Sequence, residues 1–213
     1  MAILKSTKLT LLHDGSAGAV RKYLETTGAY YAQDGQTQND FSPLPAAEWL
    51  GSPAVSRLGL DTPGRTQEDQ NKDLAKILAG FDPATGEKLV QNAGEAGRCM
   101  AFDMTFSPRK EYSLAFVAAS PEERRQMTEA FHRARDKALA LIADGLNTRA
   151  GKGGHRHVGI DGLIVRAVDH IDNREGEPQW HCHAVVANVA LDKEGKFRTI
   201  DPRALMRSSG SLQ

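Results

Sequence analysis

Two cysteines in 213 residues are too few for a disulfide framework. Both Cys99 and Cys182 fall in predicted strands, where buried, reduced thiols are expected. Charge of neither sign is in excess. The 27 Lys and Arg residues stand against 27 Asp and Glu, which argues against a generic nucleic-acid coat while leaving room for a local basic face. Long apolar runs are missing as well: nothing approaches the roughly 18 residues of a bilayer-crossing helix. The stretch Met1–Lys8 lacks the apolar core of a secretory signal. No membrane insertion and a cytoplasmic location are therefore expected. Internal repeats and low-complexity tracts are also lacking.

The remainder, 40% apolar and 25% charged, is the composition of one ordinary soluble domain spanning 1–213. Charge is nonetheless uneven. Residues 61–97 carry four Lys and Arg against seven Asp and Glu, whereas residues 98–166 carry twelve against eight.

Ile3–Leu12 alternates as a first strand, and Asp14–Gly15–Ser16 offers caps for a helix over Ala17 to Ala32 that carries Tyr23, Tyr30 and Tyr31. A separation of seven sets Tyr23 and Tyr30 on one helix face, with Tyr31 to the side. Gln36 to Pro63 reads as an irregular loop pinned by Trp49 and the Leu58–Gly59–Leu60 turn. A short helix runs from Thr66 or Gln67 to Leu78, stopped by Gly80 and the Asp82–Gly86 turn. Met100–Phe106 alternates as a strand, with Met100, Phe102, Met104 and Phe106 on one face and Asp103 and Thr105 on the other. Ser120–Glu123 is a capping box with proline at the first helical position, opening a helix to about Asn147. Its predicted apolar face is Met127, Phe131, Ala134, Ala138, Leu141 and Ile142. A further strand is expected at Lys196–Ile200. Helices and hairpins alternating irregularly predict an α+β fold, a mostly antiparallel central sheet with helices packed on it.

The densest chemistry lies between Asp169 and Val186. Gly162–Val168 reads as a strand, and the polar segment Asp172–Gln179, with Gly176 and Pro178, as the connection to an antiparallel partner. In extended chain His181 and His183 project to one side and Cys182 to the other, which excludes Cys182 as a co-ligand. The hairpin brings His170 across from them. Three imidazoles at one point suggest a divalent metal with open positions, suited to polarising a phosphate or carbonyl oxygen, because structural zinc is usually closed by a fourth Cys or His. The rival pair His155 and His157, behind a glycine-rich run, reads as a solvated or DNA-facing turn. Trp180, on the Cys182 face, reads as packing.

These residues, with Glu177–Pro178–Gln179 before them and Ala184–Val189 after, resemble the three-histidine motif of conjugative relaxases of the MobF type, the TrwC/TraI family of HUH nucleases. Trp49–Leu50–Gly51 with Leu58–Gly59–Leu60, Phe81–Gly86, Phe102–Lys110 and Tyr30–Gly35 resemble other blocks of that family in the same order, from residue 9 to about 202. The resemblance implies a palm-like relaxase domain that, in this chain, stops short of the family's C-terminal helices.

It also implies roles. His170, His181 and His183 would hold a divalent ion, expected to be magnesium or manganese. Tyr23 would attack a single-stranded DNA phosphodiester at a transfer origin, leaving a 5′-phosphotyrosyl linkage. A free phenol has a pKa near 10 and needs such help. Asp103 would orient a metal histidine or assist the tyrosine proton. The family's first tyrosine pair is here Lys22–Tyr23–Leu24. Tyr23 is the nucleophile if it corresponds to the first member; if it corresponds to the second, Lys22 has replaced the nucleophile. Tyr30 is the second-transfer candidate and Tyr31 its backup. Arg109, Lys110, Lys152, Arg156 and Arg174 are candidate phosphate contacts. Relaxosome accessory proteins and a type IV secretion coupling protein are the implied partners, with a monomeric chain. Two other readings stay open: a catalytically impaired module that only binds origin DNA, and a three-histidine metalloenzyme acting on a small molecule.

Overall fold

The computed structural model describes residues 4–13, 47–51, 53–173, 175–201 and 203. The expected tyrosine helix, with Tyr23, Tyr30 and Tyr31, lies outside the described residues, as does Arg174. Along the described chain run β1 (Leu4–His13), β2 (Glu48–Leu50), α1 (Ala54–Arg57), α2 (Gln67–Ala79), β3 (Cys99–Pro108), α3 (Lys110–Ala118) and α4 (Pro121–Asp144). These are followed by β4 (Asn147–Ala150), β5 (Arg156–Gly162), β6 (Val165–Asp172), β7 (Pro178–Ala187), β8 (Ala190–Asp192) and β9 (Phe197–Arg198). A five-stranded sheet has the order β1-β3-β7-β6-β2, and a smaller one the order β4-β5-β8-β9. Every pairing is antiparallel. The α+β class read from the sequence is therefore the observed one. None of the described helices is long and apolar enough to cross a membrane.

Local chemistry explains the element ends. Thr66 and Ser120 accept from the backbone N–H three residues on, while Asp69 and Glu123 reach back, so both α2 and α4 open with complete capping boxes. Gly80, at φ +94°, closes α2 in the left-handed conformation. Gly145 ends α4 three residues before the expected limit, because Asn147 already pairs with Gly159 of β5. Within the expected loop of 36–63 the structure holds β2 and α1, elements too short to show a period. Gly51 joins them at φ +107°, where a Cβ would lie 2.0 Å from the carbonyl oxygen of Leu163. At the expected solvated turn, His155 follows a short 3-10 turn over Lys152–Gly154, Arg156 and His157 open β5, and both histidines are exposed.

The large sheet buries both faces. Against α3 and α4 it sets Phe102, Met104, Phe106, Trp180, Cys182, Ala184 and Val186. Trp180 is fully buried, its ring 4.4 Å from that of Phe116 and 4.6 Å from that of Phe131, so it packs as expected. On the other side, Ala101, Val185 and Ala187 pack with α1 and α2. Met100 joins this second cluster rather than the face of Phe102, next to a register break between Leu12 and His13. Cys182 is buried, whereas Cys99 is only half-buried; both are free thiols.

The buried stripe of α4 is rotated from the predicted one. Leu141 is 59% exposed, and Arg135, between Phe131 and Ala138, is 1% exposed. Arg135 enters the core because Glu48 Oε1 lies 2.8 Å from its Nη2 and Asp136 Oδ1 2.8 Å from its Nε. Alongside it, His132 of α4 pairs with the buried Asp169 of β6.

Two stability effects follow. Phe131→Ala is expected to destabilise the fold by about 3–5 kcal/mol, and Ser120→Ala by about 1 kcal/mol, in urea unfolding followed by circular dichroism.

Candidate active site

On the face of the large sheet opposite α3 and α4, three adjacent strands deliver polar side chains to one place. His170 stands directly across from His181, and Val168 across from His183. Thr105 of β3 faces His183 from the other side. The period of two then puts His170, His181, His183, Asp103 and Thr105 on one face and Cys182 on the other, as the spacing predicts. Ring centroids are 5.2 Å apart for His170–His181, 5.4 Å for His170–His183 and 5.2 Å for His181–His183.

Hydrogen bonds set the tautomers. His183 Nδ1 lies 2.9 Å from Asp103 Oδ2 and 3.2 Å from Oδ1, and Thr105 Oγ1 is 3.4 Å away. A carboxylate accepts there only from Nδ1–H, so the lone pair of His183 is on Nε2. His181 Nδ1 donates to the Gln179 carbonyl at 2.8 Å, with the same result. His170 is 5% exposed. Burial first, then the neighbouring imidazoles of His181 and His183, pull its pKa down to about 3. Burial likewise lowers that of His181. Neutral imidazoles are the ligating form, and a carboxylate on the far nitrogen is the usual support of a metal-bound histidine.

The donor set fits one ion in spacing. An imidazole about 2.0–2.1 Å from a metal holds its ring centre about 3.2 Å away, so three at tetrahedral angles have centres about 5.2 Å apart. The rings are not closed on a point, however. His170 and His181 lie nearly parallel, at 25°, and among the described residues no three His, Cys, Asp or Glu side chains form a ready metal-holding group. Closure requires rotation about the soft ring torsions.

Other candidates are placed elsewhere. Lys110, expected in a loop, opens α3 and pairs with Glu177 at 3.0 Å; Arg156 is taken up by Glu194. Arg109 and Lys152 are exposed. Sequence reading passed over Arg166, which the structure buries on the histidine face at 2% exposure. Its only signal was a charged residue inside an otherwise apolar strand.

Residues 17–213 match the family model described as TrwC relaxase. Multifunctional conjugation protein TraI of Escherichia coli (strain K12) is 27% identical over 187 residues, which is 87% of this chain and 10% of that protein. A second E. coli TraI is 26% identical over the same shares. Among solved structures, the metal-bound complex of conjugative relaxase TrwC with oriT DNA has a TM-score of 0.72 at 23% identity. Its copper-bound counterpart has a TM-score of 0.71 at 25% identity. Each alignment covers 97% of this chain and 65% of TrwC. The chain thus spans about a tenth of the curated relatives' length and under two thirds of the TrwC chains. On the match over residues 17–213, the chain belongs to the TrwC relaxase family.

Proposed function

We propose that residues 1–213 form one relaxase domain that nicks single-stranded DNA at a transfer origin and holds the cut end covalently during conjugation. The observation that carries this reading is the triangle of His170, His181 and His183, with Asp103 hydrogen-bonded to the outer nitrogen of His183. Family membership supports it, as does the likeness to TrwC in complexes with oriT DNA.

In this proposal His170, His181 and His183 would hold a divalent ion, which would withdraw charge from the non-bridging oxygens of the scissile phosphate. Magnesium or manganese is the proposed ion in the cell, although an all-imidazole set binds zinc, copper or nickel more strongly. Asp103 acts as the positioning residue: with both carboxylate oxygens within reach of His183, it fixes the tautomer and the ring. Tyr23 is the proposed nucleophile. Its hydroxyl gives up the proton to solvent and its oxygen bonds to phosphorus. The bond from phosphorus to the 3′ oxygen breaks, and that oxygen takes up a proton. A 5′-phosphotyrosyl ester and a free 3′-hydroxyl remain, so the linkage energy is kept for rejoining. Tyr30, with Tyr31 as alternate, serves the second transfer. Relaxosome accessory proteins and a secretion coupling protein are the proposed partners.

Labelled oligonucleotides spanning the element's own transfer origin, incubated with manganese, are expected to give a covalent protein–DNA band that survives denaturation. The band should vanish in Tyr23→Phe and His181→Ala and weaken at least tenfold in Asp103→Asn. Retention in Tyr23→Phe would transfer the role to Tyr30 or Tyr31, and binding without any band would leave a DNA-binding module.

Metal and pH behaviour give a second test. EDTA-treated protein is expected to gain thermal stability on adding zinc or manganese, and His170→Ala to lose the gain. In the metal-free protein, His170 has a folded pKa of about 3 against roughly 6.5 unfolded, so the unfolded chain takes up the proton first. Stability should therefore be full above about pH 6.5 and fall towards pH 3, by at most about 1.4 kcal/mol per unit for this group. Urea midpoints of wild type and His170→Ala at pH 7 and pH 5 measure it.

A further inference from the structure

Of the three arginines buried among the described residues, Arg135 and Arg166 lie against opposite faces of the large sheet and differ in what neutralises them. Arg135, on the helix side, has Glu48 and Asp136. Arg166 of β6, at 2% exposure, has no hydrogen-bond partner at Nη1 or Nη2 among the described residues. Its Cζ lies 5.1 Å from the ring centre of Trp49, whose own buried Nε1 also has no partner among the described residues. The stacked ring offsets part of the cost of taking a guanidinium out of water but accepts none of its in-plane N–H groups. Burial lowers the pKa of Arg166 to about 10, against the opposing effect of Glu48, which leaves the group charged at neutral pH. An unpaired buried cation with two idle donor atoms, beside a third idle donor, is destabilising until an anion completes it.

Strand register says where that anion would sit. Asp103, Val185, Arg166 and Trp49 stand opposite one another along a single line across β3, β7, β6 and β2. Residues so paired project to the same side, which is the side of the three histidines. The line is two residues, about 7 Å, from the Val168–His183 pair.

We infer that Arg166 and Trp49 Nε1 form a phosphate-binding site that takes non-bridging oxygens of a DNA backbone phosphate flanking the one cut at the histidines. The guanidinium fork matches two oxygens of a phosphate, and the contact reads no base. The inference rests on the reading that a DNA strand runs over the histidine face, and not on its being cut there.

Binding of a fluorescent oligothymidylate, followed by anisotropy in EDTA over a salt series, tests the site without nicking. Arg166→Met is expected to bind about tenfold more weakly, and its slope of log affinity against log salt should be shallower by about 0.7, the share of one single-strand phosphate. Its melting temperature without DNA should equal or exceed that of wild type, because an uncompensated buried charge has gone. Trp49→Phe keeps the ring and should show a smaller loss of affinity. Arg166→Lys keeps the charge without the fork and should recover the salt slope but only part of the affinity. Inorganic phosphate at millimolar concentration should raise the melting temperature of wild type and leave Arg166→Met unmoved; stabilisation by phosphate with oligothymidylate binding unchanged would overturn the DNA assignment. A melting temperature that falls in both Arg166→Met and Arg166→Lys would also overturn it, by showing that the chain itself satisfies the guanidinium. If Arg166 governs the salt slope while no covalent band forms with origin DNA, the nicking reading fails and the phosphate site stands.

Discussion

The register of β6 against β7 is the constraint on which the histidine face depends. Because side chains alternate with a period of two, a slip of one residue would turn Trp180 and Cys182 to the front and drive His181 and His183 into the packing of Phe116 and Phe131. Several contacts hold the pairing in place. Trp180 is locked among three aromatic rings, and Ser113 Oγ of α3 accepts from its backbone N–H at 2.9 Å. At the hairpin end, Asn173 Oδ1 accepts from the N–H groups of Glu175 and Glu177 at 2.9 and 3.0 Å, which fixes the length of the turn. The apolar face of the sheet thereby positions the polar one.

The two faces of the sheet handle charge in opposite ways. Behind it, α4 brings Arg135 and His132 onto Glu48 and Asp169, and the buried Cys182 thiol beside them is pushed upward in pKa by desolvation and by Asp169. Those groups are matched within the chain and tie the longest of the described helices to β2 and β6. In front, His170 is held neutral, His183 is aimed by Asp103, and Arg166 lies against Trp49 with two nitrogens that find no acceptor among the described residues.

Much of this was legible from residue order alone, and the reason differs by element. The capping box at Ser120–Glu123, the alternating strand Met100–Phe106 and the histidine hairpin depend on periodicity and on chemistry within a few residues, which sequence carries directly. The edge strand Glu48–Leu50 and the helical turn Ala54–Arg57 are shorter than any period and exist through pairing with β6 and the close approach of Gly51 to Leu163. The buried face of α4 was misread at Leu141 and Arg135 for a related reason: a long charged side chain enters a core only when a distant residue, here Glu48, meets it.

The sequence by itself determined that His170, His181 and His183 share a face and that Cys182 does not, because alternation is a property of the extended backbone. It also set the α+β class, through the order of helical and strand patterns. Only the tertiary structure decided that Asp103 rather than solvent supports His183, that Lys110 and Arg156 are taken by carboxylates, and that Arg166 is buried on the histidine face. Those outcomes depend on which strands become neighbours across tens of residues, and partners brought together by folding leave no mark in local spacing.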